Sequence, residues 1–219
     1  MINGGIRMNP AKLSDSKLLK LMDIVRTYDK FEQEMRARGI NLDTTSEGEY
    51  WTKTYFQAAI DFLNFSKKEK LIKTRGPVAH VHPGDGRMLA ILDLYGFGPV
   101  IGIGDDKKLY DASRCVITDL EQRRVVRYKN IRIIQGDFTD PDAYESAGKP
   151  FEEIPYFYIG ADSQPLKRLV KKIKEESPEG TKLIVHGLFV KKSEEPNIAL
   201  KLEKRFPASP LGDFLIYAK

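Results

Sequence analysis

VAHVHPGDGRMLAILDLYGFGPVIGIGDD, Val78 to Asp106, decides the fold. Val78 and Val81 sit in a short apolar run broken by Pro83-Gly84-Asp85-Gly86. Met88, Leu89, Ile91, Leu92 and Leu94 then recur at helical spacing until Gly96-Phe97-Gly98-Pro99 stops them. Val100-Ile101-Gly102-Ile103 is a second apolar run of the kind a buried parallel strand uses, and it ends near two acids, Asp105 and Asp106. The stretch is therefore a βαβ unit with a glycine turn at the carboxyl end of its first strand. Open α/β sheets bind nucleotide-like ligands at that place.

Working outward towards the N-terminus, a helix is expected from Ser14, with Leu18, Leu21, Met22, Val25 and Tyr28 as its inner stripe and Gly39 at its end. Ser46 and Glu49 have capping-box spacing for a second helix bearing Trp51, Tyr55, Phe62 and Leu63. The same spacing at Ser66 and Glu69 predicts a break and a short further turn. Tyr50, Trp51, Tyr55 and Phe56 form an aromatic cluster, read as core before substrate surface. Residues 1–75 thus read as a helical extension, and residues 76–219 as the domain built on the βαβ unit.

Towards the C-terminus, a helix is expected over Leu109 to Thr118, then a polar stretch carrying Arg123, Arg124 and Arg127. Ile131 to Ile134 is a third strand closed by Gly136-Asp137-Phe138. Tyr156 to Ile159 is a fourth, ending in Gly160-Ala161-Asp162. Pro165 to Glu176 is amphipathic, with Leu166, Leu169, Val170 and Ile173 inside and Lys167, Arg168, Lys171, Lys172 and Lys174 outside. Leu183 to His186 gives a fifth strand. Two closely joined segments, from Ile198 and from Phe214, are expected to pair antiparallel. Alternating strands and helices with a terminal hairpin imply an α/β fold with a mostly parallel sheet.

The chain has 219 residues, 41% hydrophobic and 31% charged, which suits an ordered globular protein. No apolar run approaches the ~20 residues of a membrane span. The first residues lack the apolar core of a signal peptide, and the lone Cys115 forbids an internal disulfide, so a cytoplasmic setting is expected. Flanked by Val116 and Ile117, Cys115 reads as a core residue. A net charge of +5 suits acidic partners or a solvated lysine-rich surface.

The order of these segments resembles that of class I S-adenosylmethionine-dependent methyltransferases, whose sheet ends in an antiparallel hairpin. Among them the chain is most similar to the small prokaryotic Dot1-like protein-lysine methyltransferases. The likeness is carried by PGDGR at Pro83 to Arg87, VIGIGDD at Val100 to Asp106 and GDF at Gly136 to Phe138. It extends to LKRLVKKIKEESPEGTKLIVH at Leu166 to His186 and FLIYAK at Phe214 to Lys219. It implies a Rossmann-like methyltransferase sheet and S-adenosyl-L-methionine as cofactor. The implied cofactor-binding positions are His80, His82, Gly84, Asp85 and Gly86 around the turn, Gly104, Asp105 and Asp106 after the second strand, and Asp137 and Phe138 after the third.

A glycine turn lets backbone approach the methionyl part, and the helix N-terminus behind it attracts a carboxylate. An acid beyond the second strand can hold the ribose hydroxyls. By the resemblance, Asp137 meets the adenine amino group and Phe138 flanks the ring. The loop from Tyr158 to Asp162 lies beside the methyl group, so Tyr158 and Asp162 are the candidate catalytic residues.

This sequence departs from the family's D-x-G-x-G-x-G. His80 replaces the acid, His82 replaces the first glycine, and Pro83 biases His82 towards an extended backbone. The usual ribose-binding acid falls on Gly104, with Asp105 and Asp106 one and two places later. Three readings follow: a methyltransferase acting on protein lysine, a non-catalytic binding relative, and an RNA or DNA methyltransferase using the basic residues on phosphate. Gly84 and Gly86 with Asp105 also loosely resemble a dinucleotide fingerprint. A metal site on His80, His82 and His186 would need the first and fifth strands to meet, and no metal is expected.

Overall fold

The computed structural model describes residues 13–42, 56–160, 163–187, 198–208 and 212–219. Two helices come first: α1, Asp15–Ala37, and α2, Phe56–Lys68. Then follow β1, Val78–Val81; α3, Arg87–Tyr95; β2, Val100–Gly104; α4, Lys107–Gln122; and β3, Ile131–Gln135. The second half holds α5, Pro141–Ser146; a 3-10 turn, Phe151–Glu153; β4, Tyr156–Gly160; α6, Ser163–Glu176; β5, Lys182–Gly187; β6, Lys201–Phe206; and β7, Asp213–Ala218. The seven strands form one sheet in the order β3-β2-β1-β4-β5-β7-β6. β1 to β5 run parallel, while β7 lies antiparallel between β5 and β6. The expected Rossmann-like sheet with its terminal antiparallel hairpin is present.

Strand periodicity divides the core into two layers. Val78, Tyr158, Ile184 and Phe214 face a cluster that includes residues of α1, α2, α3 and α4. Ala79, Val81, Ile101 and Ile103 face the other cluster, made with α5, α6 and the 3-10 turn. All nine residues of α3 are buried, because α1 and α2 cover the side that the sheet leaves open. Each aliphatic side chain so enclosed contributes about 1.5–3 kcal/mol of burial.

Several local expectations are corrected. Ser66 does not break α2; it follows Phe62 by four residues on the same stripe and is fully buried within the helix. In α1 the buried positions are Leu21, Ile24 and Tyr28, while Leu18, Met22 and Val25 are only partly covered. α4 begins earlier than Leu109, because Asp106 caps it by accepting from the Leu109 amide at 2.8 Å. Cys115 is exposed, one residue off the inner stripe of Ala112, Val116 and Leu120. Lys172 is buried rather than outward, with its ammonium on Glu176 at 2.6 Å and over the Phe151 ring at 4.6 Å. The Ser46–Glu49 spacing and Tyr50, Trp51 and Tyr55 lie outside the described residues.

Candidate functional site at the carboxyl edge of the sheet

The chain leaves β1 for β2 in one direction and leaves β3 for β4 in the other, which opens a crevice at the carboxyl ends of β1 and β4. The turn from β1 into α3 fills its floor. The His82 amide still pairs with the Ile103 carbonyl at 2.8 Å, so the ladder runs one residue past β1 before the chain turns. His82 then takes a left-handed backbone, φ 53°. The extended conformation expected before Pro83 does not occur. The histidine occupies the glycine position of the motif in a left-handed conformation, at a cost of about 1–2 kcal/mol for an L-residue.

Gly84 and Gly86 are also left-handed, φ 58° and 81°. A Cβ on Gly86 would stand 2.9 Å from the Ser113 Cβ of α4 and 3.4 Å from the Tyr28 hydroxyl. One on Gly104 would come within 3.3 Å of Pro83 Cδ, so Gly104 makes room for the turn.

Asp85 is fully buried and faces Arg87. The Arg87 Nε donates to Asp85 Oδ2 at 2.9 Å, and the Arg87 amide donates to Oδ1 at 3.2 Å. The far end of the guanidinium is bound by Glu32 of α1, and its plane lies near the Tyr28 and Phe56 rings at 5.5 and 5.3 Å. Burial works against the Arg87 charge, but Asp85 and then Glu32 outweigh it and hold the guanidinium protonated. The Asp85 carboxylate is thereby committed to tying the first helix to the turn. Sequence spacing gave no sign of this clasp, since Glu32 is far away along the chain.

The outer groups of the edge are separate from that clasp. Asp105 follows β2 with its side chain 69% exposed, and its Oδ1 lies 3.6 Å from His82 Nδ1. The His82 ring meets Phe138 edge-on at 5.4 Å. Phe138 is itself buried, with Arg168 of α6 over its face at 5.1 Å. Phe138 is therefore covered by His82 on its edge and Arg168 on its face. Asp137 Oδ1 accepts from the Thr139 amide and hydroxyl, both at 2.8 Å, and Oδ2 binds Arg168. Partial burial would raise the Asp137 pKa, but Thr139 and Arg168 outweigh it and hold the carboxyl below its ordinary value. Arg168, read from sequence as a solvated helix position, belongs to this edge. Asp106 serves as the cap of α4.

Behind the edge lies an aromatic row. His80 is buried, with its ring edge-on to Tyr158 at 4.5 Å; His186 stacks on Phe214 at 4.3 Å, and Phe214 stacks on Phe62 of α2 at 4.3 Å. Desolvation, with His82 and His186 adding smaller contributions, pushes the His80 pKa down to about 3. Tyr158 is 1% exposed and belongs to the core cluster. Asp162 lies outside the described residues. β4 separates β1 from β5, and no cluster of three or more metal-ligating side chains occurs among the described residues. Nor is any described helix long and apolar enough to cross a membrane.

The basic stretch after α4 is largely engaged within the fold. Arg123 meets Asp119, Asp23 and Thr27, and Arg127 Nε meets Asp93 at 2.8 Å.

No protein-family model matches the sequence, and no curated protein matches it. Solved structures do match by shape. An RNA methyltransferase from Salinibacter ruber, in complex with S-adenosyl-L-homocysteine, aligns with a TM-score of 0.54 at 14% identity, over 76% of this chain and 93% of that one. A point mutant of MtNAS in complex with S-adenosylmethionine gives 0.59 at 14%, over 93% and 72%. The putative methyltransferase yhhF from Escherichia coli gives 0.55 at 10%, over 77% and 87%. The strand order and these likenesses together give the chain a Rossmann-like methyltransferase fold.

Proposed function

We propose that the protein is an S-adenosyl-L-methionine-dependent methyltransferase. The observation that carries the proposal is the edge itself: a glycine turn at the sheet's crevice, with the exposed carboxylate of Asp105 just beyond the neighbouring strand. Two buried polar atoms near the turn support the fit. The Tyr28 hydroxyl and His80 Nδ1 have no hydrogen-bond partner among the described residues. Such atoms commonly mark a place where a further polar group belongs.

In this reading Asp105 holds the ribose hydroxyls, and the backbone at Gly84 and Gly86 receives the methionyl end. His82, Asp137 and Arg168 border the base. When bound, the cofactor supplies a methyl group already activated on a sulfonium. The chain's own residues position the acceptor and take its proton. Tyr158 is enclosed with His80, so we assign proton acceptance to Asp162 and a positioning role to Tyr158.

For the acceptor we propose the amine of a protein lysine, on the sequence resemblance. RNA is the second reading, favoured by the likeness to an RNA methyltransferase. Titration calorimetry should give a saturable S-adenosylmethionine isotherm, and Asp105→Ala should weaken it at least ten-fold. A flat trace at millimolar cofactor would overturn the methyltransferase in favour of a binding protein of the same fold. Methyl-labelled cofactor incubated with cell extract, then split with protease or ribonuclease, assigns the acceptor. Label surviving protease but lost with ribonuclease would defeat the lysine reading.

A further inference from the structure

A second concave site lies away from the glycine turn, where the start of α1, the end of α2 and the end of α3 meet. It has a volume of about 620 Å³, within the range that small ligands occupy. Its lining includes three lysines, the partly buried Lys17 from α1 and the exposed Lys67 and Lys68 from α2. None of the three has a carboxylate within ion-pair distance among the described residues. The acids nearby along these helices are occupied or outside the walls: Asp61 accepts from Gln57 at 2.9 Å, Asp93 holds Arg127, and Asp15 belongs to the first turn of α1.

The remaining lining is Leu13, Ser14, Asn64 and Tyr95, and the groove's surface is more apolar than polar. Tyr95 donates its hydroxyl to Asn64 Oδ1 at 3.0 Å, which leaves the Asn64 amide group as a donor, and the Lys17 ammonium lies 5.8 Å from the Tyr95 ring centre. Ser14, at the start of α1, makes no side-chain cap bond.

Partial charge at the end of α2 explains why lysines stand at its last turn. It does not explain Lys17, which comes from another helix. Lys17 is only partly exposed, and its pKa is lowered by burial first and then by Lys67 and Arg127. Like charges have been brought together without internal compensation, and an anion in the groove would relieve their repulsion. Lysine ammonium groups are point donors suited to phosphate oxygens.

We propose that this groove binds a small phosphate-bearing molecule carrying two or more negative charges. The site is independent of the methyltransferase reading.

The test uses the full-length protein and tripolyphosphate as probe. Calorimetry at low salt should show saturable binding. Lys17→Gln should weaken it at least ten-fold, as should the Lys67→Gln, Lys68→Gln pair, while Lys17→Arg should retain it. Lys30→Gln, on an exposed turn of α1, should leave it unchanged. Thermal melts of each variant report whether the fold survives, and Lys17→Arg supplies a folded comparator if Lys17→Gln does not. Absence of binding at millimolar tripolyphosphate, or equal affinity in all variants, would overturn the site. So would displacement of tripolyphosphate by a short single-stranded RNA at lower concentration, because the groove would then belong to a nucleic-acid track.

Discussion

At the scale of single residues, Gly86 and His80 carry separate consequences. Alanine at Gly86 faces both a left-handed backbone and a 2.9 Å approach to Ser113. The two effects together should cost about 3 kcal/mol in urea unfolding. Gly180, also left-handed at φ 86° but with nothing within 4 Å of its Cβ position, isolates the backbone part, so Gly180→Ala should cost only about 1 kcal/mol. His80 is neutral when folded, with a pKa near 3, and protonates near 6.5 when unfolded. The unfolded state therefore gains protons first as pH falls. Stability should drop by about 1.4 kcal/mol per pH unit between roughly 6.5 and 3, with little effect above that window. His80→Leu should flatten this acid limb in unfolding curves measured from pH 7 to 4. The two histidines were legible in the sequence as departures from a glycine motif. Their environments were not: the two residues stand two positions apart, yet His80 lies in the aromatic row and His82 at the edge, and only the turn's geometry sets that.

At the scale of elements, the clasp between α1 and the turn is the main addition to what the sequence shows. Asp85 is fully buried, so Arg87→Met would leave a carboxylate without its partner and should cost about 3–5 kcal/mol. Glu32, on the more open side, should cost about 1 kcal/mol as Glu32→Gln. Denaturant midpoints for the two variants would separate these values, and equal losses would refute the assignment of Asp85 as the dominant partner. The strands β1, β2, β4, β5 and β7 were legible from their apolar runs, because buried strands need little else. β6 was not: it runs over the charged, largely exposed Lys201–Phe206 and starts three residues later than the apolar run from Ile198 suggested. Helix starts were also less legible. Asp106 was read as a ligand-binding acid, and its side chain also caps α4; the two uses of an acid after a strand look alike along the chain. Ser66 misled, since capping-box spacing recurs by chance inside a helix whose stripe simply continues.

At the scale of the whole molecule, the order of segments was enough to place seven strands, because βαβ crossovers leave few alternatives once a terminal hairpin is recognised. Pairings across the layers were hidden. Arg168 reaches Asp137 and Arg123 reaches Asp23 over distances that periodicity does not encode. These contacts also bear on nucleic-acid binding, since Arg123 and Arg127 already have acidic partners in the fold. The enclosure of α3 has a mechanical consequence. Its nine buried residues begin directly after Gly86, and its first residue is held by α1 through Glu32. The floor of the crevice and the outer helices are therefore joined through the Arg87–Glu32 contact. The glycine turn and the second groove stand at the two ends of α3, one at Gly86 and the other at Tyr95.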